Sequence, residues 1–179
     1  IIGTSGAEKM RLTSAGELLV GTTGSIGTSA AKLEIQGASS GGRCINTKTD
    51  ITTSANAISF NNGNGQVGSI ATNGSATAYN TSSDYRLKEN VVAMSGATDR
   101  LKQLNPLRFN FIADADTTVD GFLAHEVQTL VPEAITGTKD AVDADGNPEY
   151  QGIDQSKLVP LLVATIKELE ARIATLESE

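Results

Sequence analysis

Residues 153–179, IDQSKLVPLLVATIKELEARIATLESE, decide how the rest of the chain is read. Leu162, Ile166, Leu169, Ile173 and Leu176 recur at alternating spacings of four and three. That is the a/d seam of a coiled coil, with Glu, Lys and Arg on the other faces. A lone helix carrying this stripe exposes it, so the spacing predicts a helix over about residues 156–178 that self-associates. Ile at a with Leu at d nominally suits two strands, but so short a run leaves the oligomer number to the attached domains. An amphipathic helix packed on its own domain is the other reading. It suits Leu158, Leu161 and Val163, which precede the regular spacing.

Upstream of the helix the pattern is that of a small α/β (α+β) domain. SGATDRLKQLNPLRFNF (95–111) carries a helical run with Leu101 and Leu104 at i, i+3, capped by Ser95 or Thr98 and stopped before Pro106. LRFNFI (107–112) alternates as a strand, and Asp114–Asp120 reads as an acidic loop. In GFLAHEVQTLVPEAIT, residues Phe122, Leu123, Val127, Leu130 and Val131 give a short helix with an apolar face, ended near Pro132. DADGNPEYQG (143–152) is a hairpin or loop with Asp-Gly-Asn-Pro turn chemistry. Its register refuses a calcium loop. With Gly146 at position 6 of an EF-hand, Ala141 falls at position 1 and Gly152 at position 12, where acids are needed.

The first half is different material. Thirteen of the eighteen glycines precede residue 83. Between them lie KMRLTSAGELLVGTT, AAKLEIQG, RCINTKT, NAISFNNG and QVGSIATNG, short alternating stretches that read as strands. Ala15-Gly16, Asn73-Gly74 and NNGNG (61–65) supply the turns. Each strand offers two or three apolar side chains and no helix is near to cover them. Small isolated sheets are marginal in water. A core shared between chains, as in an intertwined β fibre or β-prism, resolves that shortage; a small monomeric sandwich or a polar linker remains open.

Charge divides at the same place. Residues 1–82 carry five Lys/Arg and four Asp/Glu, whereas 83–179 carry nine and seventeen. The acidic balance argues against nucleic acid, which needs clustered cations. No apolar run approaches a membrane span. IIGTSGAEKM lacks the basic start and apolar stretch of a signal peptide, and reads as the cut edge of a longer protein. One Cys (Cys44), one His (His125) and scattered carboxylates give no metal-ligand spacing, so neither a metal nor a cofactor is expected.

At the seam stands TSSDYRLKENV (81–91), a polar linker or a processing site. Together with LNPLRFNF (104–111), GFLAHEVQTLVPEAI (121–135) and YQGIDQSKLVPLLVATIKEL (150–169), SDYRLKENV resembles the C-terminal intramolecular chaperone domain of phage tailspikes and tail fibres. This is the endosialidase-type self-cleaving module, peptidase family S74. The resemblance runs from Ser83 to the end; the match of the first half to β-rich fibre shafts is loose. Leu123 and His125 stand where Ile and Gln are commoner.

The resemblance implies two domains: a β-rich intertwined trimeric fibre segment at 1–82, then a chaperone domain at 83–179 ending in the coiled-coil helix. It implies a homotrimer that directs folding of the upstream fibre and is released by autoproteolysis at Ser82-Ser83-Asp84. Ser83 and Lys88 form the dyad by position. It also implies a virion protein, assembled in the host cytoplasm, whose fibre meets a host-surface receptor. A trimerisation domain that keeps the motif but never cuts is the alternative. Phe60 and Tyr79 alone make a thin case for glycan binding.

The chemistry stands on its own terms. A serine hydroxyl needs a base, and a neutral lysine can serve. A lysine in water titrates near ~10.4, and bringing one to ~7 demands roughly 4–5 kcal/mol of desolvation or cationic repulsion. Arg86 is a candidate source of repulsion. Ser83 and Lys88 are too far apart along an extended chain to meet, so a turn or a neighbouring subunit must join them. The cut bond is Ser82–Ser83 or Ser83–Asp84.

Overall fold

The structure, a computed structural model, describes residues 2–4, 7–14, 17–20, 22, 33–35 and 44–179. The chain is mixed sheet and helix and ends in a long helix. Its packing divides into two units, Ile1–Glu89 and Asn90–Glu179. Among the described residues no helix is long and apolar enough to cross a membrane.

Among the described residues, the regular elements of the first unit are strands, followed by one 3-10 turn at Tyr85–Leu87. β1 (Ile2–Thr4), β2 (Ala7–Leu12), β3 (Leu18–Val20) and β4 (Leu33–Ile35) form one sheet in that order, with β3 and β4 parallel. Leu19 on β3 is buried, as the LLV run suggests. β5 (Ala55–Asn62), β6 (Gly65–Asn73) and β7 (Ala76–Thr81) form an antiparallel meander. Its turns are the expected Asn/Gly dipeptides. Gly74, at φ 59°, occupies the two-residue β6–β7 loop, where a left-handed backbone suits glycine. The Ala15-Gly16 turn lies outside the described residues.

Two expectations for this half need correction. Residues 44–49 of RCINTKT form no strand. In contrast ATAYNT is β7; its polar and small residues gave no apolar alternation to read, and it is held by its ladder to β6. The pairing Ile58–Ile70–Tyr79, beside Phe60–Gly68, places Ile58, Phe60, Ile70 and Tyr79 on one sheet face. Ile58, Phe60 and Tyr79 are exposed there.

The second unit builds a core from α1 (Ala97–Leu101), α2 (Ala124–Gln128) and α3 (Val159–Glu177). Ala97, Val127, Val131, Ala134, Leu158 and Leu161 are its buried residues. Between α1 and α2 runs a hairpin, β8 (Leu107–Phe111) with β9 (Asp114–Gly121). The acidic segment is therefore a strand, not a loop: Arg108 grips Asp120 across the ladder at 2.7 and 3.0 Å. β10 (Ile135–Thr136) pairs with β13 (Gly152–Ile153), and β11 (Ala141–Val142) with β12 (Pro148–Glu149). The β11–β12 hairpin confirms the Asp-Gly-Asn-Pro turn. The Asp143 carboxylate there accepts from the backbone N–H groups of Asp145 and Asn147, both at 2.9 Å.

α1 is capped in an unforeseen way. Neither Ser95 nor Thr98 caps it; the N-cap is Gly96, at φ 65°, which has no side chain to offer. Glu168 of α3 supplies the missing acceptor. Its carboxylate takes the N–H groups of Ala97 and Thr98, each at 2.8 Å, and the Thr98 hydroxyl at 2.6 Å. The Thr98 hydroxyl, then the Thr98 and Ala97 N–H groups, hold the Glu168 carboxyl below its ordinary 4.5.

A depressed folded pKa means that this stabilisation is present above the unfolded value and is lost as pH falls through the folded one. Glu168→Gln should therefore lower the melting temperature near neutral pH, by about 4 °C or more. The gap from wild type should close as pH falls below 4.5. Thermal unfolding followed by circular dichroism at several pH values checks this. A gap that persists in strong acid would mean that the charge is not what matters.

Candidate active site

β7 leads directly into the site. Its ladder with β6 runs to Thr81, opposite Gly68. Ser82 continues it: its N–H donates to the Val67 carbonyl at 3.1 Å and its hydroxyl to the Gln66 carbonyl at 3.3 Å. Ser83 follows, and the chain then turns. Asp84 is still extended, at φ −63° and ψ 137°, and its carboxylate accepts the Arg86 N–H at 2.9 Å. One turn of 3-10 helix, Tyr85–Leu87, is closed by Leu87 N–H to the Asp84 carbonyl and Lys88 N–H to the Tyr85 carbonyl, both at 3.1 Å. Asp is a good opener for such a turn, because its short side chain reaches the N–H two residues on.

The turn delivers Lys88 back onto Ser83. The lysine Nζ donates to the serine Oγ at 2.8 Å. A local turn, one of the two routes open from sequence, brings the two groups together within this chain. Ser83 and Lys88 are both exposed in the single chain.

Arg86 does not play the part expected of it. Its Nε and Nη2 grip Asp84 Oδ1 and Oδ2 at 2.9 and 2.8 Å, a two-point pair. The Arg86 side chain, then its backbone N–H, hold the Asp84 carboxyl below the usual carboxylate range, with Lys88 the smallest contributor. The Arg86 guanidinium is raised in turn by Asp84. Its guanidinium is thus paired with Asp84 rather than standing alone beside Lys88.

The seam positions lie on the outer side of α3. Leu162, Ile166, Leu169, Ile173 and Leu176 are 42–70% exposed in one chain. Leu158 and Leu161, in contrast, are buried in the domain, while Val163 is exposed. The helix therefore divides its apolar residues between its own core and the outside. His125 lines a shallow hollow of about 290 Å³ with Lys139, Asp140, Pro148, Tyr150 and Gln151. Among the described residues no cluster of metal-ligating side chains occurs.

The Asx-type turn at Asp84 was open to the sequence reading of SSDYRLKEN as a polar linker. Glu168 as the cap of α1 escaped it, since its partners are 70 and 71 residues away.

The chain thus carries a serine–lysine turn at Ser83–Lys88 and, from Asn90 on, a small α+β unit that ends in a helix. Residues 83–136 match the family described as chaperone of endosialidase, Peptidase S74. The match begins at Ser83 itself. The chain is also 34% identical over 101 residues to the long tail fiber protein Gp37 of Enterobacteria phage K3, and to that of Enterobacteria phage T2. These alignments cover 54% of this chain but 8% and 7% of the relatives. The chain thus spans under a tenth of the length of the curated relatives it matches.

Proposed function

We propose that residues 83–179 are an intramolecular chaperone domain that trimerises, aligns the β-rich segment 1–82 of the same phage fibre for folding, and then releases itself by one self-cleavage at Ser83. The contact that carries this reading is Lys88 Nζ to Ser83 Oγ, 2.8 Å, at the start of the family segment. The lysine amine takes the Oγ proton, and Oγ attacks the carbonyl carbon of Ser82. The Ser82–Ser83 amide bond breaks, leaving an ester, and the ammonium returns the proton to the freed Ser83 amine. Water hydrolyses the ester. The competing product, cut at Ser83–Asp84, differs in mass by one serine.

Both groups are open to solvent, and a lysine becomes an effective base once it is desolvated or set beside another cation. Association of three chains is assigned that task, so that scission reports a finished assembly. The exposed seam on α3 supports it. Strands shared between chains gain nothing until they are in register. A C-terminal trimer holds the three chain ends at an effective concentration on the order of millimolar. The fibre left behind is a virion component that meets a host-surface receptor. It unfolds slowly even though it has lost its folding aid.

The same exposure favours a second reading, a trimerisation clamp that never cuts. Intact mass of freshly purified wild type beside Ser83→Ala separates the two. Two fragments meeting at Ser83 in wild type, with the variant whole, is the expected result. A whole, trimeric wild type would leave the clamp. Equal cutting of both would point to a contaminating protease.

A further inference from the structure

We propose that Asp84 is the positioning residue of the Ser83–Lys88 pair, closing the turn that delivers the amine, and that Arg86 keeps the Asp84 carboxylate from claiming that amine. The inference rests on the self-cleavage reading above and deepens it.

The geometry is specific. Four residues stand between Ser83 and Lys88, and the reversal across them depends on three bonds: Arg86 N–H to Asp84 Oδ1, Leu87 N–H to the Asp84 carbonyl, and Lys88 N–H to the Tyr85 carbonyl. Only the first involves a side chain, and the same carboxylate also holds the Arg86 guanidinium. Without the Asp84 carboxylate the turn has backbone bonds alone, in a stretch where Tyr85 and Leu87 are 80% and 72% exposed and offer little packing. Asp84 is therefore the side chain that holds the turn placing Nζ at 2.8 Å from Oγ.

A carboxylate this close to the base creates a conflict. Left free, it would attract the lysine as a cation and oppose its deprotonation. Arg86 resolves the conflict by taking both oxygens at 2.8 and 2.9 Å. The carboxylate can then hold the backbone without serving as counter-ion to Lys88. The pair acts on Ser83 and Lys88 through the turn and touches no reacting atom.

The test is the time course of self-cleavage of the full chain by intact mass, with trimer content measured alongside. Asp84→Ala should slow cutting by about 100-fold, the scale of an ångström-sized misplacement. Asp84→Asn retains an Oδ1 acceptor for the Arg86 N–H and should stay within about tenfold of wild type. Arg86→Ala should slow cutting by about tenfold, and Asp84→Ala/Arg86→Ala should be no slower than Asp84→Ala alone. A general loss of stability would produce neither the rescue by asparagine nor this non-additivity.

Asp84→Ala cutting within about threefold of wild type would overturn the proposal and leave the dyad standing. If Asp84→Ala fails to assemble, Arg86→Ala decides: an unchanged rate overturns the proposal. A wild type that never cuts removes the dyad reading, and the positioning role goes with it.

Discussion

Lys88→Ala should leave the chain whole and still trimeric, with self-cleavage slowed by at least about 100-fold and up to about 10,000-fold, the range of a lost general base. Lys88→Arg is the sharper variant. It keeps a cation beside Ser83, but a guanidinium does not give up its proton and cannot accept one from a hydroxyl. If the lysine acted only by holding the serine rotamer through its 2.8 Å bond, arginine would preserve much of the rate. Loss of cutting in both variants, by intact mass over hours, identifies a base. Retention in arginine alone assigns the side chain to orientation. Retention in both removes Lys88 from the chemistry.

The second large effect concerns α3. Leu169→Asp/Ile173→Asp places charges on a stripe whose residues are 42% and 55% exposed in one chain. Covering such side chains contributes about 1.5–3 kcal/mol each. Burying a carboxylate without a partner costs several kcal/mol instead, and a trimer repeats both at every copy. Light scattering on a sizing column should show monomers at micromolar concentration, with self-cleavage lost as well. Lys167→Gln, on an exposed position off the stripe, should change neither. A trimer that survives both aspartates would place the interface elsewhere, and the stripe would then need another explanation. Cutting that continued in the monomer would separate the dyad from assembly.

What could be read in advance followed from how local the signal was. The α3 stripe was legible because a spacing of four and three maps onto one face of a helix whatever surrounds it. The buried pair Leu158 and Leu161 was legible as departing from that stripe. β9 was not. Asp114, Asp116 and Asp120 look like loop chemistry, and only the ladder to Leu107–Phe111, with the Arg108–Asp120 pair, makes them a strand. The cap on α1 was hidden because Gly96 offers nothing and Glu168 approaches from another helix. At the candidate site the residues were nameable from sequence, but Arg86 was misjudged. Two residues' separation says that charges are near without saying which one each will choose.

Ser82 bears on the fate of the chain end that the proposed cut would leave. Its N–H and hydroxyl are both engaged with carbonyls of the neighbouring strand, at Val67 and Gln66. Loose chain ends are where strands begin to peel and where exopeptidases gain a foothold. A chain severed after Ser82 has no such thread: its last residue is already stitched to the strand beside it. Cutting at this bond, as proposed, would trim the chain and leave its new end already hemmed to the neighbouring strand.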